Sequence, residues 1–228
     1  MNDKRYLLSL IREGEHQQQD FKYRVEDEAK LAKSVSAFAN TDGGRLLIGV
    51  RDDGNLSGVR SEEEIYMMHQ AAYKYCKPEA SIKFDTYHVA PSDTVNGGRG
   101  LRTIVVATVP PSDKRPVYAL DDESLRNGDS PGKSHKRAYI RIADENIVAS
   151  PVHLALWREQ QRPQGAMMTY NDTVRQLLNA IQGQRTLNQI VHLSRLPRPK
   201  VITLLARLIR FGLIRWEYQG QQFLFSQT

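Results

Sequence analysis

A chain of 228 residues, 40% of them hydrophobic, is long enough for one main domain and a smaller companion, and apolar enough to pack a core. No apolar run approaches the roughly 18 residues of a membrane helix. The apolar patch in MNDKRYLLSLIREGE is too short and interrupted for a signal peptide, so a cytoplasmic protein without a membrane partner is expected. The single cysteine, Cys76, excludes an internal disulfide and a multi-cysteine zinc site, and reads as a small buried residue. The net charge of +6 is unevenly placed: residues 1–164 balance 24 Lys+Arg against 24 Asp+Glu, whereas residues 165–228 hold 8 against 2. A compact basic segment beside a neutral domain points to a polyanion, nucleic acid before acidic protein.

In chain order, residues 2–13 predict a short amphipathic helix, with Tyr6, Leu7, Leu10 and Ile11 at helical spacing. EHQQQDFKYRV then alternates as a strand does, Phe21, Tyr23 and Val25 on one face and Asp20, Lys22 and Arg24 on the other. DEAKLAKSVSAFAN predicts a helix ended by NTDGG, whose paired glycines supply left-handed conformations. RLLIGV reads as a strand buried on both faces, RDDGN as a tight turn, and SEEE as a capping box from Ser61 to Glu64. ASIKFDTYHV, LRTIVVATV, RPVYAL and AYIRI predict further strands, separated by the polar loops PSDTVNGGRG and DDESLRNGDSPGKSHK, which are expected to be mobile. In RIADEN, Asp144 and Glu145 suit a tight turn, with Asn146 tolerating a left-handed conformation. SPVHLALWREQ is a helix near the end of this α+β domain, assigned to residues 1–160.

Residues 161–168 have the composition of a linker. Residues 169–228 predict three helices, in DTVRQLLNAI, TLNQIVHLS and KVITLLARLIRFG, and then a hairpin in LIRWEYQGQQFLFS, the order of a small winged helix-turn-helix domain. The third helix would be the recognition helix, carrying Lys200, Arg207 and Arg210 after Arg195 and Arg198 in the turn, with Arg215 on the wing. Such side chains suit phosphate positioning and some base contact, although winged helices also serve as docking modules.

The large domain resembles the AlbA-like putative DNA-binding domain of the Schlafen group. The resemblance rests on DFK with a glutamate five residues before its aspartate, on SVSAFANTDGGRLLIGVRDDGNLSGV, and on AYIRIADENIVAS, in that order over residues 15–150. It implies a mixed-sheet fold, nucleic-acid binding and, with the basic tail, a predicted transcriptional regulator. Schlafens that cut RNA use three acids. Carried over by position, these fall on Glu15, Asp20 and Asp52, the second being Asp where those nucleases have Glu, one methylene shorter. Such a trio would suit Mg²⁺ or Mn²⁺, with Lys22 holding the scissile phosphate and Arg24 adding to binding. An ordinary explanation stays open: Asp52 belongs to the turn, Glu15 is solvated, and Asp20 pairs with Lys22 or Arg24 at the surface. No loop of the kind that cradles a triphosphate is present in the sequence, so no nucleotide cofactor or hydrolysis is expected. His16 reads as a surface residue. Tyr6, Tyr23, Tyr73 and Tyr75 read either as base-stacking or, more ordinarily, as packing residues.

The leading expectation is a nucleic-acid-binding regulator that favours duplex DNA, with RNA as the other substrate class. The alternatives are a metal-dependent endoribonuclease acting through Glu15, Asp20 and Asp52, and a protein-docking module. Schlafen nuclease cores resemble a clamp of two such domains, so one copy per chain implies a homodimer.

Overall fold

The computed structural model describes residues 4–59, 62–90, 101–121, 136–162 and 168–228. Ser61 of the expected capping box, the loop at 91–100, most of the loop at 121–136, and residues 163–167 of the expected linker lie outside the described residues. The chain divides into two compact units, residues 1–148 and 149–228.

The first unit is layered. Helix α1 (Lys4–Glu13) covers one face of a four-stranded sheet in the order β1-β2-β5-β4, formed by β1 (Gln19–Lys22), β2 (Gly44–Ile48), β4 (Lys83–Val89) and β5 (Arg102–Val109). Strands β1 and β2 are parallel, while β5 runs antiparallel to both β2 and β4. The expectation for RLLIGV holds: Leu46 and Ile48 face one core cluster and Leu47 the other, all three fully buried. On the α1 face, Leu7 and Leu10 pack with Phe21, Leu47 and Ile104. On the opposite face lie α2 (Glu28–Asn40) and α3 (Glu62–Tyr73). A second sheet follows, ordered β3-β6-β7-β8, from β3 (Cys76–Lys77), β6 (Tyr118–Ala119), β7 (Arg137–Ile142) and β8 (Glu145–Val148).

Helix α2 begins at its N-cap Asp27, whose carboxylate accepts from the Lys30 amide at 2.9 Å. From Ser34 to Asn40 every residue is buried, so its polar side chains must find internal partners. Asn40 Nδ2 donates to the carbonyls of Val117 (2.8 Å) and Tyr139 (2.9 Å), and its Oδ1 accepts from the Val117 amide at 2.8 Å. Ser36 Oγ donates to Val117 O at 2.8 Å and accepts from Tyr139 N at 3.1 Å. These two side chains fasten the second sheet to the helix. Of the paired glycines after α2, only Gly43 is left-handed, at φ +73°. Gly44 is required for a different reason, since a Cβ there would run into the ring of Phe38. Cys76 is fully buried, and burial pushes its thiol up to about 12, as suits a packing residue.

In the second unit, α4 (Pro151–Gln160) is capped by Ser150 and packs on the helix Arg198–Arg210. The sequence reading places this helix at the end of the large domain; its packing groups it with residues 149–228. After α4 come α5 (Asp172–Asn179), β9 (Arg185–Thr186), α6 (Leu187–Ser194), α7 (Arg198–Arg210), β10 (Ile214–Gln219) and β11 (Gln222–Gln227). The three strands form an antiparallel sheet ordered β10-β11-β9. Helix α6 starts with a reciprocal capping box between Thr186 and Gln189, and Pro199 occupies the first turn of α7, where its missing amide costs nothing. Val174, Leu177, Ile190, Val201, Leu205 and Phe225 form the core. Among the described residues no helix is long and apolar enough to cross a membrane.

Candidate nucleic-acid interface

The alternation read in residues 20–25 breaks at Lys22, where β1 ends. Phe21 packs on the α1 side and Val25 in the opposite cluster, so the two do not share a face. Asp20, expected on an outward polar face, is buried at 4% exposure. The reason is a set of partners drawn from distant parts of the chain. Lys22 Nζ lies 2.7 Å from Asp20 Oδ2, Arg141 Nη2 lies 3.4 Å from Asp20 Oδ1, and Ser34 Oγ donates to Oδ2 at 3.3 Å. Burial acts to raise the Asp20 pKa, but the Lys22 ammonium, the bonds from Glu15 and Lys22, and Arg141 together hold it below the usual carboxylate range. Glu15 moves the other way. Burial and the neighbouring Asp20 raise its pKa, against the Phe21 amide, which donates to Glu15 Oε1 at 2.8 Å.

Arg141 is the residue that sequence reading passed over. It is fully buried on β7, donates from Nη1 to Asn146 Oδ1 at 3.0 Å and from Nη2 to Gln19 O at 3.3 Å, and its guanidinium lies 5.3 Å from the centre of the Phe38 ring. An arginine amid the apolar residues of AYIRI was the available signal, because a buried arginine implies a buried partner. Asn146 is not the left-handed turn residue expected: Ala143 takes positive φ at 52°, and Asn146 Nδ2 instead donates to Ser34 Oγ at 2.9 Å. Gln17 holds the turn, with Nε2 donating to Arg141 O at 2.6 Å and Oε1 accepting from Ala143 N at 2.8 Å.

Three converging acids were the basis for expecting Mg²⁺ or Mn²⁺, and the structure does not assemble them. Glu15 and Asp20 are neighbours, but Asp52 is exposed in the turn after β2. Among the described residues no group of three or more His, Cys, Asp or Glu side chains is placed to hold a metal ion. Both oxygens of Asp20 already face cations, so a divalent ion would have to displace Lys22 and approach Arg141. As placed, the described residues around Asp20 do not form a metal centre.

Beyond β1 the surface turns basic. The guanidinium carbons of Arg24 and Arg51 lie 5.0 and 4.4 Å from the centre of the Tyr23 ring. Tyr23 is thereby engaged by cations, which stands against the base-stacking alternative for it. Tyr75 is buried, while Tyr6 and Tyr73 are exposed. His16 sits at the surface, 3.7 Å from Glu13.

In the second unit the six expected cations divide into two groups. Arg195 closes α6 in the left-handed conformation, at φ 53°, and is exposed, as are Arg198 and Lys200 at the start of α7. Arg198 Nη1 donates to Asn188 Oδ1 at 2.6 Å, which steadies it without neutralising it. Arg215 on β10 donates to Ser226 Oγ at 3.1 Å and has Glu217 Oε1 at 3.8 Å, a long, exposed pair that compensates it only weakly. Arg207 and Arg210, by contrast, are directed to α4. Arg207 Nε lies 3.3 Å from the Oε1 of buried Glu159, and Arg210 bonds the carbonyls of Glu159 and of Arg162. They tie helices together, because α4 supplies an acid that a reading of residues 169–228 alone does not contain.

Residues 15–150 match the family model described as Schlafen, AlbA_2. The chain belongs to the Schlafen AlbA_2 family. In this AlbA_2 unit, the motif SVSAFANTDGG is accounted for by Ser34 at the Asp20 network, Ser36 and Asn40 at the second sheet, and Phe38 against Gly44. Among solved structures, the DIP2311 protein from Corynebacterium diphtheriae is similar over 91% of this chain, with 17% identity and a TM-score of 0.42. The chain spans 34% of that protein's length.

Proposed function

We propose that this chain is a nucleic-acid-binding protein of the transcriptional-regulator kind, in which residues 149–228 act as a winged helix-turn-helix on duplex DNA and the AlbA_2 unit adds affinity. Family membership supports nucleic-acid binding in general. The finer reading is carried by the placement of charge. Residues 149–228 hold 10 Lys+Arg against 3 Asp+Glu, and Arg195, Arg198 and Lys200 stand exposed where α7 begins. In a helix-turn-helix the N-terminal end of the second helix reaches the base edges and flanking phosphates, so cations belong there. The order α5-β9-α6-α7-β10-β11, with a hairpin turning at Gly220 and Gln221, supports the same assignment. Because Glu159 holds Arg207 and Arg210, the duplex contacts fall to Arg195, Arg198, Lys200 and Arg215.

The test is fluorescence anisotropy of a labelled duplex titrated with the full chain at several salt concentrations. Log affinity is expected to fall linearly with log salt, and Lys200→Ala to reduce the slope by about 0.9, the share of one phosphate contact. Arg207→Ala is expected to leave the slope as it was and to lower thermal stability instead. A wild-type slope near zero would overturn the proposal.

A further inference from the structure

Three loops meet at one end of the four-stranded sheet of the first unit. The parallel pairing of β1 with β2 brings Tyr23 and Arg51 out at the same end, and antiparallel β5 starts there with Arg102. Between them is a recess of about 500 Å³ lined by Tyr23, Arg51, Ser57, Gly58, Arg102 and Thr103.

Its floor is fixed by close backbone contact. Ser57 and Gly58 amides both donate to Gly49 O, at 2.8 and 2.9 Å, and the Val59 amide donates to Thr103 O at 2.7 Å. Gly49 (φ +89°) and Gly58 (φ +78°) permit this approach, and a Cβ on Gly49 would lie 2.8 Å from the Gly58 carbonyl carbon. The stem of Arg102 lies along Gly58, where a Cβ would meet Arg102 Cδ at 3.3 Å.

The cations on this rim differ in how far they are compensated. Lys22 is neutralised by Asp20 and Arg24 by Glu26, 3.3 Å away. Arg51 and Arg102 are both exposed, and among the described residues neither has a carboxylate at ion-pair distance. Asp53, near Arg51 in sequence, has its two oxygens taken by the Asn55 amide (2.9 Å) and by Asn55 Nδ2 (2.7 Å). Tyr23 holds the Arg51 guanidinium against its ring, which fixes that charge in place at the edge of the recess.

We propose that this recess is a seat for the sugar-phosphate backbone of a nucleic-acid strand, with Arg51 and Arg102 as its phosphate contacts and Tyr23 as the residue that orients Arg51. Two exposed guanidiniums outside ion-pair distance of any described carboxylate, Arg51 feeling Asp53 only through its field, match the paired oxygens of phosphodiesters. A second recess of about 200 Å³, lined by Lys22, Arg24 and Lys30 together with Glu26 and Asp27, is close to charge-balanced and adds no uncompensated guanidinium to the seat. With the Tyr23 ring covered by its own cations, the seat reads backbone rather than bases.

The proposal rests on the nucleic-acid reading, and the experiment separates the two. Binding of labelled single-stranded RNA and of duplex DNA to the full chain is measured across salt for wild type, Arg51→Gln/Arg102→Gln and Lys200→Ala. The double variant is expected to reduce the single-strand slope by about 1.4, two phosphates at about 0.7 each, with thermal unfolding unchanged because both side chains are exposed. Arg51→Lys/Arg102→Lys, which keeps the charge, is expected to recover most of that slope. A wild type that binds with the same slope as the double variant overturns the seat and leaves the general reading intact. A wild type that binds neither nucleic acid overturns both. Binding of inorganic triphosphate that the double variant loses, without any strand binding, would assign the recess to free phosphates and also overturn it.

Discussion

Asp20 and Glu15 touch one another, yet the fold treats their charges in opposite ways. Asp20 is held below the usual carboxylate range, so its contribution to stability is present at neutral pH and is lost as pH falls through its folded-state value. Glu15 is held above that range, so its contribution is present in acid and is lost as pH rises through its folded-state value. Asp20→Asn leaves Arg141 buried without its counter-charge and is expected to cost about 3–5 kcal/mol at pH 7. Glu15→Gln keeps the oxygen that accepts from Phe21 and is expected to be neutral or stabilising at pH 7. Urea unfolding at pH 7 and again below pH 4 checks both, and the Asp20→Asn deficit is expected to shrink in acid. Sequence periodicity gave no warning of this arrangement. A period of two places Asp20 outward, and only Arg141, far along the chain on β7, makes burial of that carboxylate tolerable.

Among the elements, α4 shows how packing decides what charges are for. Its first turn carries His153, which is 4% exposed, with Nδ1 2.7 Å from the Ser150 hydroxyl and the ring against Trp216 and Phe223 at centroid distances of 4.6 and 4.7 Å. Burial lowers its pKa from 6.5 to about 4. Protonation then favours the unfolded chain, so stability of the second unit is expected to decline as pH falls from 6.5 to about 4, by roughly 3 kcal/mol in all. Following Trp fluorescence during urea unfolding between pH 7 and 4 measures this, and His153→Phe is expected to flatten the profile. Most elements were legible: α1, α2, β2, β4, β5, α5, α6, α7 and the terminal hairpin fall where hydrophobic spacing and turn residues put them. Which faces of α7 were free was not legible, since Arg207 and Arg210 look like any other basic residues until Glu159 is brought beside them.

For the molecule as a whole, the division at 148/149 revises where the charge lies. Residues 1–148 hold 22 Lys+Arg and 23 Asp+Glu, so the second unit carries more than the entire net charge. It also gives a direct test of which segments fold together. A fragment of residues 149–228 is expected to unfold cooperatively in urea, whereas residues 169–228, which lack α4, Val152 and Glu159, are expected to lose cooperativity or several kcal/mol of stability. Equal stability of the two fragments would mean that α4 is an ornament. The composition of residues 161–168 suggests a linker, but composition cannot show that a preceding helix belongs to the following unit.

Asn40 presents to Val117 one donor and one acceptor at the spacing of a peptide group, so a side chain on a helix stands in for a missing neighbour strand. Aspartate would replace the donor with a charge, leucine would offer neither group, and glutamine would overshoot by a methylene. Interchange at this position is therefore closed to conservative steps, and drift in the second sheet is confined to what one amide can still pair with.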